Sequence, residues 1–385
     1  MLSKRIRNIA PSATLAIDAK AKQLKKEGKD VVIFGAGEPD FNTPENIKQA
    51  AKKAIDNNVT RYTPVGGMPE LKKAVADKFR NFNKISYDAS EIMIGCGGKH
   101  VLYNAMMAVL EKGGEAILPV PYWVSFEEMI KLAEAKAVFC ETDRNFRLTA
   151  ENVEAKITKK TKLLVLNSPS NPSGAIIEPS EIRKIAKLAV ENNFFVISDE
   201  VYEYFTYGKE HLSIASLNDR IKNLTITCNS VSKTYAMTGW RIGYCGAGKE
   251  VINAMENLQG HSTSNPSNIA QMAALEALTG PQDSVKEMVK SFDERRRFIH
   301  KSLNEIEGIS CIEPEGAFYA FPNIEETGMD SMTFASRLLD EALVAVVPGA
   351  AFGKEGHVRL SYAASIHEIE RGMDRIDKWL KKTAK

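Results

Sequence analysis

Short apolar runs recur through the middle of the chain, and a helix-like stretch follows almost every one. Strands are expected at 91–94, 115–119, 136–141, 162–167, 194–198, 224–228 and 240–246. Helices are expected at 99–111, 122–134, 150–157, 179–192, 249–259 and 266–279. Runs that are apolar throughout suit strands buried on both faces. The alternation therefore predicts an α/β fold with a mostly parallel sheet covered by helices.

The chain ends read differently. A helix over 14–27 stops at Gly28, and 31–34 is a short strand. Thr43 and Pro44 open a helix to about 57, with Thr43 as the cap, and Pro69 opens another to about 81. Beyond the sheet, a long polar helix over 282–307 precedes short strands at 309–313 and 317–321. A helix at 333–343, strands at 345–347 and 357–361, and a last helix follow. Ser365-Ile-His-Glu368 is a capping box for that last helix. This tail predicts a small α+β domain. The first 40 residues are too few to fold alone and are expected to join it. The division is thus a large domain, 43–283, and a small domain built from 1–42 and 284–385.

Composition adds exclusions. The 385 residues carry a net charge of +2 with both signs mixed, so neither nucleic acid nor an anionic membrane is an expected partner. No apolar stretch approaches a membrane span or follows the charged N-terminus as a secretory signal would. Five widely spaced cysteines argue against a disulfide framework or a zinc site. No metal is expected, and the cytoplasm is the expected compartment.

Chemistry concentrates at the strand ends, where ligands of open α/β sheets gather. Lys233 follows the 224–228 run among small residues, as an amine that must lose its charge to attack a carbonyl would. Arg241, eight residues on, suits a phosphate. Gly97-Gly98-Lys99 ends one strand and starts a helix, which lets backbone N–H groups approach an anion; a plain turn is the alternative. Asn167-Ser-Pro-Ser-Asn171-Pro-Ser-Gly174 ends another strand and reads equally as a turn. Asp199 closes an apolar run and needs a cation or donors if buried. Trp123 suits ring stacking or a core position. Arg359 sits within an apolar strand and suits a carboxylate. Gly243 to Glu250 nearly forms a P-loop, but Glu250 stands where a hydroxyl should hold magnesium.

These segments stand in one order: Ala36-Gly-Glu-Pro-Asp-Phe41, Tyr62-Thr-Pro, Gly97-Gly-Lys99, Pro121-Tyr-Trp-Val124, Asn167 to Gly174, Ser198-Asp-Glu-Val-Tyr202, Ser230-Val-Ser-Lys233, Met237 to Gly243, Gly316-Ala-Phe-Tyr319 and Val358-Arg-Leu-Ser-Tyr362. Together they resemble the class I aminotransferases, closely the prokaryotic aspartate branch, over nearly the whole chain.

The resemblance implies pyridoxal phosphate and fold type I, with a seven-stranded sheet in the large domain. It implies that Lys233 holds the cofactor covalently and then acts as general base. It pairs Asp199 with the ring nitrogen, and Asn171 and Tyr202 with the phenolic oxygen; Trp123 stacks on the ring. Gly98, Lys99, Ser230 and Arg241 surround the phosphate, and Tyr62 reaches it from the other subunit of a homodimer. Arg359, Gly37, Asn171 and Trp123 hold the substrate's α-carboxylate. Lys99 is the expected second cation for a side-chain carboxylate, with Ser12 or Thr14 adding a hydroxyl. The chain departs from its relatives at Ser170, Ser173 and Ala10, the last removing a cation that prephenate would use.

The expected reaction is ping-pong amino transfer from L-aspartate to 2-oxoglutarate. Aromatic, alanine or prephenate aminotransferases and a β-lyase of the same fold are the alternatives. A regulator fused to a DNA-binding domain is disfavoured, since no extra segment precedes Ala36.

Overall fold

The computed structural model describes residues 2–11 and 13–383. The expectations for Ser12 and for the side chain of Thr14 fall outside the described residues. Among these residues the strands are β1 (Val32–Ile33), β2 (Ile92–Gly95), β3 (Glu115–Val120), β4 (Lys136–Glu141), β5 (Thr161–Asn167), β6 (Phe195–Asp199), β7 (Thr225–Ser230), β8 (Gly243–Gly246), β9 (Tyr319–Ala320), β10 (Val344–Ala345), β11 (Val347–Pro348) and β12 (Val358–Ser361).

Seven of them form one sheet in the order β2-β8-β7-β6-β5-β3-β4. All run parallel except β8, which is antiparallel to both neighbours. β2, β5 and β7 are buried almost throughout, as strands covered on both faces must be. One apolar cluster joins Leu102, Phe126, Val165 and Ile226; another joins Leu164, Val196, Ile185 and Phe194. β5 shows why: Leu164 and Val165 are neighbours in sequence and fall in different clusters, as a side-chain period of two requires.

The chain ends meet. β1 pairs in parallel with β10, and Val32 and Phe34 pack with Leu338, Val344, Ile369 and Met373. The helix Asp283–Asn304 bridges the two bodies: Val285 packs with Ile47 and Ala274, whereas Ile299 and Leu303 pack in the terminal cluster. We propose that these bodies are the large domain, 43–283, and the small domain, 1–42 with 284–385. Among the described residues no helix is long and apolar enough to cross a membrane.

Several local expectations are corrected. Thr43 does not cap the helix Glu45–Asp56; its hydroxyl donates to the Ala236 carbonyl at 2.7 Å. The helix from Pro69 ends as α-helix at Lys78 and widens into a π turn, Phe79–Asn83. No strand forms over 309–313, where Ser310 makes a single bridge to Asn323. The following segment turns away instead, because the N–H groups of Glu315 and Gly316 both bond the Gly174 carbonyl. The 345–347 strand splits into β10 and β11, which pair in different sheets. Half of the last capping box forms: Ser365 Oγ accepts from the Glu368 N–H at 3.2 Å, while the Glu368 carboxylate turns to Arg371.

β8 lies tight against the Gly97-Gly98 turn. A Cβ on Gly243 would sit 2.7 Å from the Gly97 carbonyl oxygen and closer still to Gly98 N. Backbone cannot yield as a side chain can. Gly243→Ala is expected to lower stability by about 1–3 kcal/mol in denaturant unfolding.

Candidate active site

Parallel strands deliver their carboxyl ends to one rim of the sheet. β2 leads there to Gly97-Gly98-Lys99, β3 to Trp123, β5 to Asn171, β6 to Asp199 and Tyr202, and β7 to Lys233. β8, running the other way, starts at that rim, so Arg241 arrives beside them. The rim opens into a cavity of about 470 Å³, and Gly37, Gly98, Lys99, Trp123, Asn171, Asp199, Tyr202, Ser230, Lys233, Arg241 and Arg359 all line it. Tyr62 does not: its side chain stands on the surface, 92% exposed.

Burial sets the electrostatics. Lys233, on the short helix Val231–Thr234, donates to the Gly37 carbonyl. Loss of water pushes its amine down to about 8; nearby Arg359 and Arg241 push the same way, and Glu38 and Asp199 oppose. Asp199 is 6% exposed. Burial pushes its carboxyl up to about 7, against a 3.3 Å hydrogen bond from the Val201 N–H. Lys99 is lowered by burial and by the Arg241 charge, and its ammonium lies 4.9 Å from the centre of the Trp123 ring.

Arg359 on β12 is 3% exposed and has no carboxylate partner among the described residues. It donates to Asn171 Oδ1 at 2.9 Å and to the Gly35 carbonyl at 2.8 Å, and lies over the Tyr319 ring at 4.5 Å. Its Nε has no acceptor. A buried cation met only by neutral acceptors, with one donor unused, is a receptor for an anion.

An anion site of another kind lies across the cavity. Gly97, at φ +95°, starts the helix Gly98–Val109, and a Cβ there would collide with the Arg241 guanidinium. Arg241 is held in the left-handed region at φ +57°, bonded to the Thr238 carbonyl at 2.8 Å. Ser230 caps the Lys233 helix, its Oγ accepting from the Ser232 N–H at 3.0 Å. Helix N-terminus, guanidinium and ammonium together suit a phosphate.

Residues 29–376 match the family described as aminotransferase class I and II. The chain belongs to that family. It is 48% identical over 389 residues to the aspartate aminotransferase of Bacillus sp. (strain YM-2), covering 99% of each chain. It is 46% identical, with the same coverage, to the aspartate aminotransferase of Bacillus subtilis (strain 168). Its fold matches the aspartate aminotransferase from Thermus thermophilus with maleate at a TM-score of 0.95 and 42% identity, covering 98% of this chain and 99% of that one.

This aminotransferase is therefore pyridoxal-phosphate-dependent and has fold type I. The residues present fit that cofactor. Lys233 offers an amine that burial makes neutral near pH 8. Asp199 offers a buried carboxyl that needs a cation to ionise fully. The Gly97-Gly98 turn with Arg241 offers a cradle that an added Cβ would fill.

The cavity also holds residues whose roles the sequence alone does not assign. Tyr319 bonds Tyr202, hydroxyl to hydroxyl at 2.8 Å, and underlies Arg359. Its signal was the Gly316-Ala-Phe-Tyr319 segment itself. Glu38 accepts from Thr238 Oγ1 at 2.7 Å, and Lys22 lines the mouth from the helix Ala13–Lys26. Nothing in the polar pattern around Lys22 set it apart. Ala10, expected near the substrate, donates its N–H to Glu128 at 3.0 Å.

In the cofactor-free enzyme, acylation of Lys233 by an amine-reactive reagent is expected to rise with a midpoint near pH 8. The neutral amine is the reactive form, so the rate climbs as pH passes through that value. Peptide mapping should find exposed lysines titrating higher. A Lys233 midpoint at the ordinary lysine value would show that burial does not lower its charge.

Proposed function

We propose that the enzyme is an aspartate aminotransferase, moving the amino group of L-aspartate to 2-oxoglutarate in two half-reactions. The observation that carries this is the pair of cation sites in one cavity. Arg359 is buried with no carboxylate partner among the described residues, and Lys99 lies over Trp123 in the same cavity. A monocarboxylate needs only the first; a dicarboxylate uses both. The names of the similar Bacillus enzymes support the same substrate.

When bound, pyridoxal phosphate supplies the electron sink that acidifies the substrate's Cα proton. Gly98, Lys99, Ser230 and Arg241 would hold its phosphate, Asp199 its ring nitrogen, and Asn171 and Tyr202 its phenolic oxygen, with Trp123 against the ring. Arg359, with Asn171, Trp123 and Gly37, orients the α-carboxylate. That orientation fixes which Cα bond faces Lys233. Lys233 Nζ then takes the Cα proton and returns it, and its lowered proton affinity suits both steps near neutral pH. Asp199 stays ionised beside a cationic ring nitrogen, because the pairing offsets the burial that otherwise raises it.

The reading includes a homodimer with shared sites. Tyr62 supports it: the side chain is exposed and outside its own subunit's cavity, as a contribution to a neighbouring site requires. The proposed compartment is the cytoplasm, on the five free thiols of the described residues.

Lys99→Ala is expected to lower kcat/KM for aspartate by about ten- to a hundredfold, the worth of one charge-assisted contact. Activity on alanine should fall much less. An equal fall for every amino acid would assign Lys99 to the cofactor and remove the basis for the acidic preference. Subunit mixing tests the assembly. Tyr62→Phe and Arg359→Ala subunits, each impaired alone, should regain activity when mixed, since hybrid dimers contain one site free of both changes. No recovery from subunits that demonstrably exchange would place Tyr62 outside the site.

A further inference from the structure

Behind the cavity, on the far side of β6, lies a second set of charged groups that the reaction does not touch. Ser198 and Glu200 point away from the pocket that Asp199 faces, as alternate residues at a strand end do. Glu200 is 1% exposed and Glu203 2%. The Glu200 carboxylate accepts from Ser198 Oγ at 2.8 Å, Ser213 Oγ at 2.5 Å, Asn83 Nδ2 at 3.0 Å and His211 Nε2 at 3.1 Å. Glu203 pairs with Lys78, whose ammonium also lies 5.0 Å from the Phe79 ring centre and 5.2 Å from that of Phe82.

This cluster is tied to the catalytic rim. Asn229 donates to Glu203 Oε1 at 2.6 Å and to the Glu200 carbonyl at 3.2 Å, and its Oδ1 accepts from the Ser230 N–H at 2.7 Å. One amide thus links the turn after Asp199 to the start of the Lys233 helix. The cluster is built for charge balance: two buried carboxylates face Lys78 and His211. A buried ion pair is a costly way to stabilise a fold when apolar residues could fill the space.

We propose that Glu200 and His211 are positioning residues for Asp199, a buried ion pair that fixes the end of β6 and keeps the charge behind the ring-nitrogen partner near zero. Each partner favours the charged form of the other. Burial opposes charge on His211, but Glu200, by charge and hydrogen bond, and then Glu203 outweigh it, with Lys78 opposing. Glu200 is held low by His211, Ser213 and Ser198 against its own burial. The inference rests on the reading of Asp199 given above.

The test uses the pH at which the visible band of the bound cofactor titrates in the holoenzyme. His211→Gln leaves a net negative charge behind Asp199, and the midpoint should rise by about half a unit to one unit. Glu200→Gln removes the partner that holds the proton on buried His211, so the imidazole turns neutral with it and the midpoint should stay near the wild-type value. The double variant, uncharged on both sides, should return near the wild-type value. A merely structural role would move both single variants in one direction, or neither, and either result overturns the proposal. Should His211→Gln not fold, His211→Asn takes its place, and that single variant and the double still have to differ by the stated shift; equality overturns it. Asp199→Asn, measured alongside, separates the two readings. A band indifferent to that change means Asp199 does not face the cofactor. A band that responds to it but not to the Glu200 and His211 charges means only the brace is wrong.

Discussion

Three ionisable groups taken out of water into one cavity are the constraint that the rest of this enzyme answers. Burial drives Asp199 up to about 7 and Lys233 down to about 8, so each is drawn toward its neutral form near neutral pH. Arg359 has no such escape. It is lowered by burial, yet a guanidinium keeps its proton at any working pH, and among the described residues it meets an amide oxygen, a backbone carbonyl and two ring faces, those of Tyr319 and Phe352. Each group suits what a ligand brings: a ring cation for Asp199, an aldehyde carbon for Lys233 and a carboxylate for Arg359. The fold pays in desolvation for sites that become complementary only when filled.

The sheet makes that concentration possible through two directional facts. Parallel strands bring Trp123, Asn171, Asp199 and Lys233 to a single rim, although the outermost two lie 110 residues apart by number. The lone antiparallel strand does something the others cannot. A parallel return from β7 would need a full crossover, but β8 returns directly, with Ser230 opposite Gly243. The short loop between them therefore carries both Lys233 and Arg241. Its compactness is met by strain: Ala236 and Arg241 both sit at positive φ without being glycine.

Much of this was legible in the sequence, for local reasons. Apolar runs mark strands buried on both faces, and the residues just past them are the rim by construction. The proposed domain division rests on the change of pattern near residue 282. What stayed hidden depends on distant partners. Thr43 has the sequence of a helix cap, but Ala236, 193 residues away, claims its hydroxyl. The 309–313 segment has strand composition, yet the Gly174 carbonyl draws its continuation aside. Lys22 lies on a helix whose polar pattern gives no sign that one turn faces the cavity. The direction of β8 could not be read either, because apolar content does not encode polarity.

The segment 35–43 is tied to both bodies at once. Most of its partners line the cavity or flank it. The Gly35 carbonyl takes Arg359, the Gly37 carbonyl takes Lys233, Glu38 takes Thr238, and Thr43 takes Ala236 and the Trp240 indole. Asp40 is anchored differently, by Arg295 on the long bridging helix at 2.6 Å. The first two ties use the cations that a cofactor carbonyl and a substrate carboxylate would claim. The ties at Glu38, Asp40 and Thr43 use none of the groups assigned to cofactor or substrate. The segment is therefore held at its glycine end by residues with a second task and beyond it by residues whose hydrogen bonds serve the fold alone, so its position does not depend on the two cations.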